Sequence, residues 1–172
     1  MKKNKNVLFV EDRDSIAEIT DLIRIHGYDI TRVRDVREAI WCLEINPDIE
    51  TDAAPYHAII LDATIPGCGR GYVVPGTDIE RVIDHHAGAN GYAYYRDFFI
   101  GDGAIPRLSS YAQEGRCAFY TAYKQEINLW AFNDGLNLDN VPLFEKGVKD
   151  LPDKICTWLE TLPPIINKND EK

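Results

Sequence analysis

Two short apolar runs in this chain end abruptly in carboxylates: "VLFVED" at residues 7–12 and "AIILDA" at residues 58–63. An unbroken apolar run of strand length suits a strand covered on both faces. Such strands belong to parallel sheets flanked by helices. The first run also places Glu11 beside Asp12 at the end of a buried strand. Like charges repel there, and burial raises the cost of ionising either group. A cation is the expected compensation.

Helical spacing separates these runs from others like them. Ile16, Ile19, Leu22 and Ile23 recur on one face, with Ser15 and Glu18 spaced as a capping box and Gly27 as a stop. "DITRV" at 29–33 alternates as a short strand. Residues 35–47 fit a helix capped by Asp35 and closed before Pro47. Residues 116–123 fit a strand, and the helix that follows turns Ile127, Trp130 and Ala131 inward. "VPLFEK" at 141–146 is the last strand; 150–162 is the last helix, with Asp150 as N-cap and Pro152 in its first turn. This alternation predicts a doubly wound α/β fold with a five-stranded parallel sheet. Right-handed crossovers bring the strand C-termini to one edge, where open α/β sheets place their sites. Glu11, Asp12, Asp62, Thr121 and Lys146 all fall at that edge.

The middle of the chain breaks the rhythm. Thr121 follows Asp62 by 59 positions, where a short loop, helix and strand take roughly 25–30. The surplus is assigned mainly to an insertion at 68–90: a loop around "GCGRGYVVPG", then a short helix at "TDIERVIDHH". "YAYYRDFFI" is helical or strand-like, and "PRLSSYAQEG" is a further helical piece. One domain over 1–172 is expected, with a core at 5–162 and a frayed tail at 163–172.

Composition narrows the function. The formal net charge of −9 leaves no broad basic face for nucleic acid. No apolar run reaches the length of a membrane span, and "MKKNKNVLFV" lacks the core of a signal peptide, so a cytoplasmic protein is expected. Cys42, Cys68, Cys117 and Cys156 show no zinc or disulfide spacing. His85–His86 fits a polar helix surface, and "GRGYVVPG" lacks the GK[ST] ending of a phosphate loop.

Taken in order, "VLFVED", "IILDATIPG", "AFYTA" and "LFEK" resemble the receiver domain of bacterial two-component response regulators, over nearly all of residues 5–162. The resemblance implies a flavodoxin-like receiver fold and a bound Mg²⁺. Glu11, Asp12 and Asp62 would supply its carboxylate ligands, and Thr64 a backbone carbonyl. It implies that Asp62 accepts a phosphoryl group from a histidine kinase or phosphotransfer protein. Lys146 and the Thr121 hydroxyl would bind phosphoryl oxygens, Ala122 would keep the group accessible, and Tyr123 stands where the family tunes water access. Pro66 and Gly67 match the turn after the acceptor.

Two positions depart from the family. Gly147 follows Lys146 where proline is usual, and Leu143 stands where the family often has the aromatic of a threonine–tyrosine switch. That switch is therefore not expected as the output here. The chain is expected to be a stand-alone receiver whose output is protein–protein binding, to a target or to a second copy as a homodimer. Two alternatives remain: a phosphorylation-independent interaction module, and a Mg²⁺-dependent hydrolase. The hydrolase ranks last because no separate acid–base residue is evident.

Overall fold

The computed structural model describes residues 5–45, 56–65, 72–73, 80–81, 90–101, 104 and 106–165. The strands are β1 (Asn6–Val10), β2 (Asp29–Val33), β3 (Ala58–Leu61), β4 (Tyr72–Val73), β5 (Glu80–Arg81), β6 (Cys117–Thr121) and β7 (Leu143–Glu145). The helices are α1 (Ala17–Ile25), α2 (Val36–Ile40), α3 (Asn90–Tyr95), α4 (Pro106–Gln113), α5 (Lys124–Asn133) and α6 (Leu151–Thr161). Wider π-type turns extend α2 through Trp41–Ile45 and α3 through Arg96–Ile100.

Five strands form one parallel sheet in the order β2-β1-β3-β6-β7, the doubly wound architecture expected from the apolar runs. Alternation along each strand divides the core in two. Val7, Phe9, Ala58, Ile60, Ala118, Tyr120 and Phe144 face α1 and α6, packing on Ile23, Leu151, Ile155 and Leu159. Leu8, Val10, Ile59, Leu61 and Phe119 face α2 to α5. Each such large side chain contributes about 1.5–3 kcal/mol when fully buried. Cys42, Cys117 and Cys156 are free thiols inside these layers. Cys68, Pro66, Gly67 and His85–His86 lie outside the described residues.

Three local expectations are corrected. Ser15 sits inside a 3-10 turn (Asp14–Ile16) that precedes α1, and neither end of that turn carries a side-chain cap. The neighbouring Asp14 is drawn instead to Arg32 and Arg34, at 2.9 and 2.7 Å. Asp150 does precede α6, but its side chain makes no capping hydrogen bond; its carboxylate meets Lys154 at 3.1 Å. Within the proposed insertion helix, Glu80 and Arg81 form β5, paired antiparallel with β4. Strand pairing satisfies those backbone groups with a non-local partner, an option that helical spacing cannot register. Asp35 does cap α2 as expected, accepting from Glu38 N at 2.9 Å.

The next long described segment, α3, lies at the sheet edge. A Cβ on Gly91 would overlap the backbone carbonyl oxygen of Asp62, and Tyr92 N donates to Ala63 O at 3.2 Å. The start of α3 is thus packed directly on the turn after β3. Further along, the Tyr92 hydroxyl donates to Asp134 Oδ2 at 2.8 Å, and its ring lies 5.6 Å from that of Trp130 on α5. Gly91→Ala is expected to cost about 1–3 kcal/mol, the usual range for overpacking a rigid contact. Urea unfolding checks this; an unchanged midpoint would show that the contact yields easily.

Candidate metal and phosphoryl site

The sheet register explains how distant residues meet. Val10 pairs with Leu61, and Leu61 with Phe119, so Glu11, Asp62 and Tyr120 stand in one row across β1, β3 and β6. The hydrogen bonding continues past the strand ends: Asp62 N donates to Val10 O at 2.8 Å, and Lys146 N to Thr121 O at 2.9 Å. Alternation then puts Glu11, Asp62, Tyr120 and Lys146 on the α1/α6 side, following Phe9, Ile60, Ala118 and Phe144.

Glu11, Asp12 and Asp62 each offer a carboxylate oxygen, all within 4.8 Å of one another. Glu11 and Asp62 are buried, and Asp12 is half-buried. The facing cation is Lys146, whose Nζ lies 2.5 Å from Glu11 Oε2 and 2.7 Å from Asp62 Oδ2. The Glu11 contact is short but off hydrogen-bond alignment: among the described residues no aligned donor reaches the buried Oε2. Its other oxygen, Oε1, accepts from Arg13 N at 3.0 Å. Burial pushes the Glu11 carboxyl above the usual range. Lys146 and the Arg13 amide pull it back only in part, and the Asp62 charge adds to the rise.

Asp62 is held at both oxygens. Oδ1 accepts from Thr64 N at 3.0 Å and from Thr64 Oγ1 at 3.1 Å, while Oδ2 accepts from Lys146. Thr121 is fully buried, and its Oγ1 accepts from Tyr123 N at 2.9 Å. Ala122 and Tyr123 beside it are exposed. Gly147 has φ +84°, a left-handed conformation closed to proline, whose ring fixes φ near −65°. Glycine rather than proline at this position is therefore a backbone requirement.

These residues fit a hard divalent cation. The donors are all oxygen, as Mg²⁺ prefers. With every carboxylate ionised, three negative charges face one ammonium among the described residues, and Glu11 Oε2 still has lone-pair capacity. The structure thus brings together Glu11, Asp12, Asp62 and Lys146, with Thr64 tied to Asp62. Sequence patterning missed the aromatic ring of Tyr120, which lies under Lys146 Nζ at 4.7 Å. The signal was present as parity: position 120 shares a face with 144 and 146 once the register is known.

No protein-family model matches this chain, and no curated protein matches it. Solved structures do. The bacteriophytochrome response regulator AtBRR is 14% identical with a TM-score of 0.57, over 97% of this chain and 99% of that one. A putative response regulator from Chloroflexus aurantiacus is 19% identical with a TM-score of 0.53, over 92% of this chain and 99% of that one. The receiver domain of the sensor histidine kinase PA1611 from Pseudomonas aeruginosa, with magnesium in its active site cleft, is 17% identical. Its TM-score is 0.53, over 92% of this chain and 97% of that one. At these identities the likeness is one of fold. The fold is that of response-regulator receiver domains, a flavodoxin-like five-stranded parallel sheet. Among the described residues no helix is long and apolar enough to cross a membrane.

Removing Lys146 takes away the counter-charge that, among the described residues, faces the buried carboxylates. In chelator, Lys146→Met is expected to lose roughly 3 kcal/mol of stability, the scale of a buried pair broken from one side. Adding Glu11→Gln to that variant is expected to restore part of the loss. Urea unfolding of the three proteins measures both effects. A Lys146→Met protein as stable as the parent would mean that the carboxylates do not depend on this ammonium.

Proposed function

We propose that this chain is a phosphoacceptor: a phosphoryl group passes from the phosphohistidine of a kinase or phosphotransfer protein to Asp62, and the product acts by binding another protein. The observation that carries this is the meeting of Glu11, Asp12, Asp62 and Lys146 at one sheet corner. Residues more than a hundred positions apart in sequence converge there.

The chemistry asked of the protein is positioning and charge stabilisation. A carboxylate oxygen of Asp62 attacks phosphorus, and the P–N bond to the donor imidazole breaks with its electron pair passing to nitrogen. Thr64 fixes the rotation of the Asp62 carboxylate through Oδ1. Lys146, already against Oδ2, is placed to stabilise charge on a transferred phosphoryl oxygen. The Thr121 hydroxyl accepts from Tyr123 N, which leaves its own hydrogen to donate to a second phosphoryl oxygen. The exposed Ala122 supports access at that edge. Glu11, Asp12, Asp62 and the Thr64 carbonyl are the proposed Mg²⁺ ligands. When bound, the ion would supply the positive charge that lets an anionic donor approach an anionic nucleophile.

Incubation with acetyl phosphate and Mg²⁺ is expected to add one hydroxylamine-labile phosphoryl group. Asp62→Asn is expected to abolish it, as read by intact mass. Mg²⁺ is also expected to raise the melting temperature by ligand linkage, and Asp12→Ala to remove most of that rise. A folded protein that takes no phosphoryl group under these conditions would support a phosphorylation-independent interaction module instead. Full labelling of Asp62→Asn would place the acceptor elsewhere.

A further inference from the structure

We infer that Tyr120 is a positioning residue for Lys146: its ring face holds the ammonium at the edge of Asp62. This rests on the proposed role of Lys146 and adds to it a residue to which the resemblance assigns no role.

Among the described residues, three groups lie against the ammonium of Lys146. Two are carboxylate oxygens, Glu11 Oε2 and Asp62 Oδ2, at 2.5 and 2.7 Å. The third is the Tyr120 ring, with Nζ 4.7 Å from its centroid. That distance lies within the reach of a cation–π contact. The lysine side chain is 16% exposed, so the contact is largely shielded from water. The ring cannot easily turn away. Tyr120 is buried, and Phe9 meets it edge-on with centroids 5.4 Å apart and planes at 75°. On the next strand Tyr120 pairs with Phe144, which Trp158 packs against at 5.6 Å. The phenol also stays neutral: burial, with the charges of Glu11 and Asp62, pushes it up to about 12.

The three contacts differ in one respect. A hard cation bound by the acidic cluster takes up lone pairs of the same carboxylates that hold Lys146. The ring face offers such a cation no oxygen donor. It is therefore the contact that persists when the carboxylates are committed elsewhere. The flexible four-carbon stem of lysine would otherwise let the ammonium drift toward solvent. A phosphoryl oxygen arriving at Asp62 then meets an ammonium already in place.

The test compares Tyr120→Phe with Tyr120→Leu. Phosphorylation by acetyl phosphate and Mg²⁺ is expected to proceed at the parental rate in Tyr120→Phe. In Tyr120→Leu it is expected to slow about tenfold, the size of a partly desolvated cation–π contact. In a Lys146→Met background, Tyr120→Leu is expected to have no further effect, because the ring acts through the lysine. An equal slowing in that background would overturn the inference, since the ring would then be needed only for packing. So would a parental rate in Tyr120→Leu while Lys146→Met is slow, and the function of Asp62 would still stand. If the parent itself takes no phosphoryl group, the function fails and the ring contact is judged by NMR. The Lys146 ε-protons are expected to show an upfield ring-current shift in the parent and in Tyr120→Phe, kept on adding Mg²⁺, and lost in Tyr120→Leu. Absence of that shift in the parent, or its loss with Mg²⁺, would overturn the positioning role on its own.

Discussion

The contact between Lys146 and the paired carboxylates of Asp62 and Glu11 is the interaction on which the site depends. Burying two carboxylates side by side is costly, and one ammonium at 2.5 and 2.7 Å offsets only part of that cost. Glu11 shows the remainder as a carboxyl held above its usual range. Such an arrangement spends stability to keep negative charge concentrated at one corner. That expense is understandable if a cation and then a phosphoryl group are to be received there.

The parallel sheet makes this corner possible. Crossovers of one hand deliver every strand C-terminus to the same edge. The register then places Glu11, Asp62 and Tyr120 in a row, with Lys146 just past the end of β7. The chain between β3 and β6 reaches this edge at α3. Through Gly91 it touches the backbone of Asp62, and through Tyr92 it reaches Asp134 and Trp130 beside α5. Among its described residues this segment is rich in buried aromatics: Tyr92, Tyr94, Tyr95, Phe98 and Phe99.

Much of this was legible in the sequence because the governing signals are local. "VLFVED" and "AIILDA" announce buried strands with acids at their ends, and Asp35 announces a cap that the structure shows. What was not legible depends on non-local partners. The capping box at Ser15 lost to a 3-10 turn, beside an Asp14 drawn to two arginines from the next strand and its following turn. The pairing of Glu80–Arg81 with Tyr72–Val73 overrode a helical pattern at those two residues. Tyr120 resembles any strand aromatic until the register shows which lysine stands over it. Gly91 carried no signal at all, since close approach of two backbone segments leaves no trace in spacing.

The proposed role of Asp62, accepting a phosphoryl group in a cation-assisted transfer, can be read directly from the residue modified. Borohydride reduces an acyl phosphate to an alcohol, so a phosphorylated aspartate becomes homoserine while free carboxylates are untouched. The phosphorylated chain, reduced in this way and sequenced by tandem mass spectrometry, is expected to carry homoserine at position 62, and only when Mg²⁺ was present during labelling. Homoserine at any other acidic position, or at 62 regardless of metal, would contradict the account.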